Sequence, residues 1–339
     1  MRDKVKYILG FDIGGTKIAV CLADMSGKIL DSARIKSTGS EPEEVLDKLT
    51  VTGKELFKRQ GLDISLLRAV GIGAPGPMDI KDGTISPANM PGWYKVPVKT
   101  HLENSFGVET FFENDANAAA LGEWLFGSGR GVKNMIYLTM STGIGAGIIG
   151  EGHLLRGALG ITGECGHVVI DVNGPPCKCG LQGCYEAFCG GRAIADRIRR
   201  EIREGKIETK ILEFAGGDFE KIDMVILEQA VRANDEYAVT LWDEMCQRNA
   251  QAMGGFLNIF NPEKLVLGTI AWASGNLFME PLMKYICDYT WPEILEACDI
   301  CVCGLGREIG EYSGISVALY SLYENGEWEL PWDKQEEKN

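Results

Sequence analysis

Between Gly157 and Glu186 the chain reads GALGITGECGHVVIDVNGPPCKCGLQGCYE, and within it stand His167, Cys177, Cys179 and Cys184. Three thiolates and an imidazole are the donor set of a closed tetrahedral Zn²⁺ site. Gly180 and Gly183 supply the backbone freedom needed to fold Cys184 back toward Cys179. Glu164 precedes the histidine by three residues and Glu186 follows the last cysteine by two. A metal loop bordered by carboxylates serves either as scaffold for a binding pocket or as a free-standing structural knuckle. Buried thiols with no metal are the third reading, although clustered cysteines beside glycines make poor core composition.

A second chemistry is carried by glycine-rich turns. Residues 5–36 read as strand, turn, strand, turn, strand, with Asp12 closing the first strand and Gly14, Gly15, Thr16 and Lys17 forming the turn. A dinucleotide-binding or P-loop unit would follow such a turn with a helix, whereas here a second strand follows. The backbone N–H groups of Gly14, Gly15 and Thr16 can cradle a phosphate. An ordinary hairpin also favours Asp and Gly, so the turn alone does not decide. The pattern recurs at 133–155, KNMIYLTMSTGIGAGIIGEGHLL, with Thr142 and Gly143 in the turn. Two copies of one unit predict a duplicated architecture of two lobes facing across a cleft that holds a nucleotide. Residues 264–275, a buried strand entering a turn at Gly268, are a third place for the nucleotide.

The third candidate lies in ETFFENDANAAALGEWLFG. A strand over 109–113 runs through Asn114 and Asp115 into an alanine-rich helix, which puts Asp115 where ligands of α/β sheets gather. The helix dipole would keep its carboxylate ionised, as a proton acceptor must be. The plainer reading makes Asn114 or Asp115 only an N-cap. Around these sites, the spacing predicts a surface helix over 42–60, a buried strand within 68–79, helices from 191 and over most of 223–258, and a final helix from 307 whose Gly314 and Ser316 permit close packing. The loop 86–93 is either a polar, aromatic rim or a rigid turn with Trp93 packed beneath it. Cys298, Cys301 and Cys303 lack a histidine and a glycine turn, and read as core or surface residues.

The 339 residues suit two α/β domains, and 45% hydrophobic with 24% charged content describes a folded chain. A net charge of −14 argues against nucleic acid as partner. Eleven irregularly spaced cysteines, with a charged N-terminus that becomes a strand, fit reduced thiols and a cytoplasmic protein. No run of 18 apolar residues spans a membrane.

In this order, DIGGTK, GAPGP, ENDANAAALGE, STGIGAGII, GECGH and CKCGLQGCYE resemble the ROK family of sugar kinases and repressors, most of all its bacterial glucokinases, from about residue 7 to 325. The resemblance implies the α/β actin-like/hexokinase-like (ribonuclease H-like) duplicated two-lobe ATPase fold. Residues 1–120 with the helix at about 308–325 would form one lobe, and 121–307 with the zinc loop 167–184 the other. It implies ATP-dependent phosphorylation of a hexose 6-hydroxyl, glucose first, with Asp115 as catalytic base. Asn114, Glu164, His167 and Glu186, with Gly76 and Asn89 at the rim, would contact the sugar. Asp12 would lie near Mg²⁺, and Gly14, Gly15, Thr16, Lys17, Thr142, Gly143 and Gly268 would face ATP. His167 would serve zinc with one ring nitrogen and the sugar with the other. Other hexoses or N-acylhexosamines (fructose, allose, N-acetylmannosamine) and a non-catalytic sugar-binding regulator are the alternatives. The family's repressors carry an added N-terminal helix-turn-helix domain for which Asp12 leaves no room, which favours an enzyme. A homodimer is implied as well. The chain departs from the family's usual GTGIGGG at Ser141 and Ala146, and from its GGG at Thr269 and Ile270.

Overall fold

Apolar strands bounded by glycine turns pack here into two α/β units. The computed structural model describes residues 6–37, 41–87 and 90–333. One unit comprises Met1–Val132, Gly147–Gly160 and Gly304–Asn339, and the other Lys133–Ala146 and Ile161–Cys303.

In chain order the first unit begins with β1 (Tyr7–Ile13), β2 (Lys17–Asp24) and β3 (Ile29–Lys36), a meander of antiparallel neighbours. There follow α1 (Pro42–Arg59), β4 (Leu67–Ala74), a small hairpin of β5 (Met78–Asp79) and β6 (Thr84–Ile85), α2 (Val98–Phe106), β7 (Thr110–Asn114) and α3 (Asp115–Phe126). β4 pairs parallel with β1 and β7 parallel with β4, giving the order β3-β2-β1-β4-β7. α1 forms because Val45, Leu46, Leu49, Leu56 and Phe57 fall on one face and are buried. Pro42 opens it, with Glu43 and Glu44 in the first turn and Lys58 and Arg59 in the last, each suited to its end of the helix dipole.

The second sheet repeats the plan. β8 (Met135–Met140), β9 (Ile144–Gly150) and β10 (His153–Leu154) are followed by α4 (Tyr185–Cys189), α5 (Gly191–Arg203), α6 (Ile211–Phe214), α7 (Met224–Arg232) and α8 (Glu236–Phe260). Then come β11 (Lys264–Leu267), α9 (Ile270–Ser274), α10 (Asn276–Ile286), α11 (Pro292–Ala297), β12 (Asp299–Val302) and α12 (Ile309–Glu324). The order is β10-β9-β8-β11-β12, with β11 parallel to both β8 and β12. Each sheet is thus a three-strand meander followed by two parallel strands in the same relative places, which is the signature of a duplication.

The boundary expected after residue 120 falls inside α3, and the chain divides at Val132 instead. The reason is that α3 is buried on every side from Ala116 to Leu125, so it cannot be shared between two cores. Gly147–Gly160, expected with the later lobe, belongs to the first unit for its part. The helical stretch expected over 223–258 is two helices, because Asn234 turns left-handed (φ 55) and Asp235 caps the next helix by accepting the Ala238 N–H at 2.9 Å. Trp93 is 4% exposed and packs in the core of the first unit, so the loop 86–93 follows the reading with the indole beneath it.

α12 lies directly on the first sheet through glycines. A Cβ on Gly71 would stand 2.0 Å from the Gly314 carbonyl oxygen, and one on Gly314 2.3 Å from the Phe11 nitrogen. The last acid of ENDANAAALGE, Glu123, is 0% exposed and accepts the N–H groups of Ser128, Gly304 and Leu305, each at 2.9 Å. It thereby fixes the turn that leads into α12. Backbone cannot yield as a flexible side chain does, so Gly71→Ala should destabilise the protein by about 1–3 kcal/mol. A urea midpoint unchanged from wild type would refute that packing.

Candidate active site

The first unit sets its chemistry at the junction of β7 and α3. Asn114 holds an extended backbone, and its Oδ1 accepts the N–H groups of Ala116 (2.9 Å) and Asn117 (3.3 Å). The capping role therefore belongs to Asn114. Asp115 becomes the first helical residue, exposed, with its Oδ1 also accepting the Ala116 N–H at 2.8 Å. A carboxylate there meets the positive end of the helix dipole.

Asp12, the penultimate residue of β1, is in register with Gly73 of β4 and Ala19 of β2. Burial first, then the nearby Asp115 and Glu311 carboxylates, push its acid up to about 7, against the opposing pull of Arg34. The crowding of acids is tolerable because Arg34 pairs with Glu311, Nε to Oε1 at 3.0 Å. Gly310 leaves the space, since a Cβ on it would lie 2.9 Å from Asp12 Oδ2. A half-buried Asp12 beside two further carboxylates has the donor chemistry of a Mg²⁺ site, in which the cation supplies the missing countercharge. In the DIGGTK turn, the Gly14 N–H donates to the Lys17 carbonyl at 3.0 Å. That bond closes the hairpin and withdraws Gly14 from the predicted phosphate donors, leaving Gly15, Thr16 and the exposed Lys17 around the turn. Gly76 is exposed in the loop after β4, and Asn89 lies outside the described residues.

In the second unit the turn between β8 and β9 is tied from both sides. The N–H groups of Gly191 and Arg192, at the start of α5, donate to the carbonyls of Ser141 (2.9 Å) and Thr142 (3.1 Å). Glu186 Oε2 accepts the Ile144 N–H at 2.8 Å, and a Cβ on Gly143 would stand 2.5 Å from the same oxygen. Glycine at 143 is thus what admits the carboxylate against the turn. One face of this turn opens on a cavity of about 420 Å³ lined by Thr142, Arg192, Trp242, Met245, Thr269 and Ile270 among others. Gly268 does not line it: the residue lies beneath Tyr137, whose hydroxyl would be 2.4 Å from an added Cβ, and its neighbours Thr269 and Ile270 reach the cavity instead.

The ligand atoms of His167, Cys177, Cys179 and Cys184 all lie within 4.8 Å of one another. His167 Nδ1 is 3.7 Å from Cys177 Sγ, and Cys179 Sγ is 3.6 Å from Cys184 Sγ. Two donors at zinc bond lengths and a tetrahedral angle stand about 3.6–3.8 Å apart, so the group fits that ion. Burial and the adjoining Cys179 and Cys177 thiols push Cys184 up to about 12, a crowding of incipient negative charge that a dication would relieve. His167 Nε2 faces the other way, 3.9 Å from Glu164 Oε2. Cys298 and Cys303 are buried, and no metal-ligating group among the described residues includes them.

Sequence reasoning missed Glu311, which it saw only as part of a packing helix, and Arg192, which it saw only on an amphipathic one. The small residues of REIGEYSG beside an acid were the available signal for the first.

Two sheets of one repeated order, with glycine turns at the ends of paired strands, define the actin-like/hexokinase-like class of α/β proteins. Within that class the chain belongs to the ROK family, which residues 8–307 match. It is 36% identical over 315 residues to the glucokinase of Thermotoga maritima, covering 91% of this chain and 96% of that one. It is also 31% identical over 288 residues to the xylose repressor of Caldicellulosiruptor bescii, covering 84% and 71% respectively. The crystal structure of a ROK family glucokinase from Streptomyces griseus, in complex with glucose and AMPPNP, superposes with a TM-score of 0.74 at 30% identity, over 92% of this chain and 99% of that one.

Asn114→Ala removes both cap bonds and should lower stability by about 1 kcal/mol, whereas Asn114→Asp should retain most of it. Equal urea midpoints for the alanine variant and the wild type would rule out the cap.

Proposed function

We propose that this protein is a hexose kinase that transfers the γ-phosphate of ATP to the 6-hydroxyl of glucose. The observation that carries the reading is Asp115, an exposed carboxylate at the N-terminus of a buried helix, fixed by the Asn114 cap. The glucokinase relatives support the choice of sugar and of donor.

Asp115 accepts the proton of the 6-hydroxyl as that oxygen attacks the γ-phosphorus, so one O–P bond forms while the bond to the ADP oxygen breaks. Phosphoryl transfer is mostly positioning and charge neutralisation, with the base contributing about 10²–10⁴-fold. Asn114, Glu164, His167 and Glu186 hydrogen-bond the remaining hydroxyls. Gly15, Thr16, Lys17 and the Thr142-Gly143 turn face the triphosphate, and the 420 Å³ cavity is of a size to take the nucleoside. Mg²⁺ near Asp12 neutralises phosphate charge when bound. His167, Cys177, Cys179 and Cys184 would hold a structural zinc, since four protein donors leave no open position. With Nδ1 so engaged, His167 would present Nε2 beside Glu164.

A coupled assay for ADP release over a panel of hexoses tests the reading. Turnover should be fastest with glucose and fall at least about 100-fold in Asp115→Asn. A clear preference for fructose, allose or N-acetylmannosamine would replace glucose. Sugar binding with no turnover would move the chain to the regulator side of its family.

Elemental analysis of the purified protein should find one zinc per chain, lost in Cys179→Ser. That loss should lower the melting temperature and raise KM for the sugar more than KM for ATP. Full activity and unchanged melting after complete zinc removal would overturn the structural role.

A further inference from the structure

Glu113 stands immediately before the capping asparagine and is 2% exposed. Its Oε1 accepts the Asn114 N–H at 3.1 Å and the Asn117 side-chain amide at 3.0 Å. Its Oε2 accepts Arg156 Nε at 2.8 Å. Arg156, two residues past β10, also donates from Nη1 to Glu324 Oε1 of α12 at 3.1 Å. Tyr320 completes the group: its hydroxyl donates to Glu324 at 3.0 Å and accepts the Leu154 N–H at 2.7 Å, and its ring lies 5.6 Å from the Arg156 guanidinium carbon.

A plain structural ion pair would hold any two elements together. The partners here are more particular. Two of the three bonds to Glu113 go to the residues that bracket Asp115, and Asn117 also gives its backbone N–H to the Asn114 cap at 3.3 Å. The turn that presents Asp115 is therefore gripped at both ends by a buried carboxylate, whose charge is balanced by a guanidinium anchored on α12.

We propose that Glu113 and Arg156 are positioning residues: a charge-balanced clamp that sets the direction in which Asp115 is presented to the substrate hydroxyl. The proposal rests on the reading of Asp115 as base. Misplacing a reacting group by about 1 Å can cost 10²-fold in rate. Removing one partner of a buried pair strands the other charge, whereas replacing both by neutral groups of similar size is far milder. In Glu113→Gln the amide's carbonyl oxygen would still accept from Asn114 and Asn117, and in Arg156→Met the thioether chain would fill the space of the arginine stem.

The test uses the full chain with Glu113→Gln, Arg156→Met, Arg156→Lys and the double variant Glu113→Gln/Arg156→Met. Arg156→Met should lower kcat about tenfold or more, with KM for ATP and for sugar within about twofold of wild type. The double variant should recover most of the lost kcat, and Arg156→Lys should fall between. Hydrogen exchange measured by mass spectrometry should show lost protection over residues 110–120 in Arg156→Met, restored in the double variant. Should Arg156→Met fail to fold, Glu113→Gln and Arg156→Lys carry the same comparison. If kcat falls only in proportion to melting temperature, or exchange over 110–120 is unchanged, the clamp is wrong. If wild type shows no turnover, the reading of Asp115 fails, and the exchange data still decide the clamp.

Discussion

Four carboxylates, Asp12, Glu113, Asp115 and Glu311, are gathered around the ends of β1 and β7 and the start of α12, and the first unit is built to keep them there. Like charges in a partly buried place repel more strongly than in water, because less water is there to screen them. Two guanidinium groups answer two of the acids: Arg34 takes Glu311 and Arg156 takes Glu113. Neither of these pairings takes in Asp12 or Asp115. Asp12 shows the effect: burial first, and then the Asp115 and Glu311 carboxylates, push its acid up to about 7, against the pull of Arg34.

Small residues make the gathering possible. Gly310 leaves the space occupied by the Asp12 carboxylate, and a Cβ on Gly73 would come within 2.9 Å of the Ala118 methyl of α3. Gly71 and Gly314 bring α12 against the sheet, backbone to backbone. The alanines of α3 follow the same steric rule: a helix buried on all sides must be narrow where it meets strands. The second unit applies the rule once more at Gly143, which lets Glu186 reach the Ile144 N–H.

Much of the candidate site could be read before any coordinates. The order strand, turn, strand at Asp12 and again at Thr142 distinguished the fold from a P-loop, because a hairpin and a crossover helix need different residues after the glycines. The His/Cys cluster was legible for a similar reason: His167 and the three cysteines lie close in sequence, so their convergence needed only local turns at Gly180 and Gly183, both at positive φ. The withdrawal of Gly14 was not legible, since whether an N–H faces a ligand or closes its own turn depends on the turn's geometry. The surroundings of Gly268 were not legible either, because a large neighbour, Tyr137, stands against it from a strand far away in sequence.

Residue types and short spacings thus settled which groups are present: a carboxylate at a helix start, a soft-donor quartet, and glycine turns beside strands. Partners over long separations were decided only by folding. Arg156 meets Glu113 across 43 residues and Glu324 across 168, and Arg34 meets Glu311 across 277. No local pattern encodes such pairs, for they depend on which faces of α12 and the sheet come to rest together. The place of Asp115 at a helix start was written in one stretch of chain, while the surroundings that hold it were assembled from several.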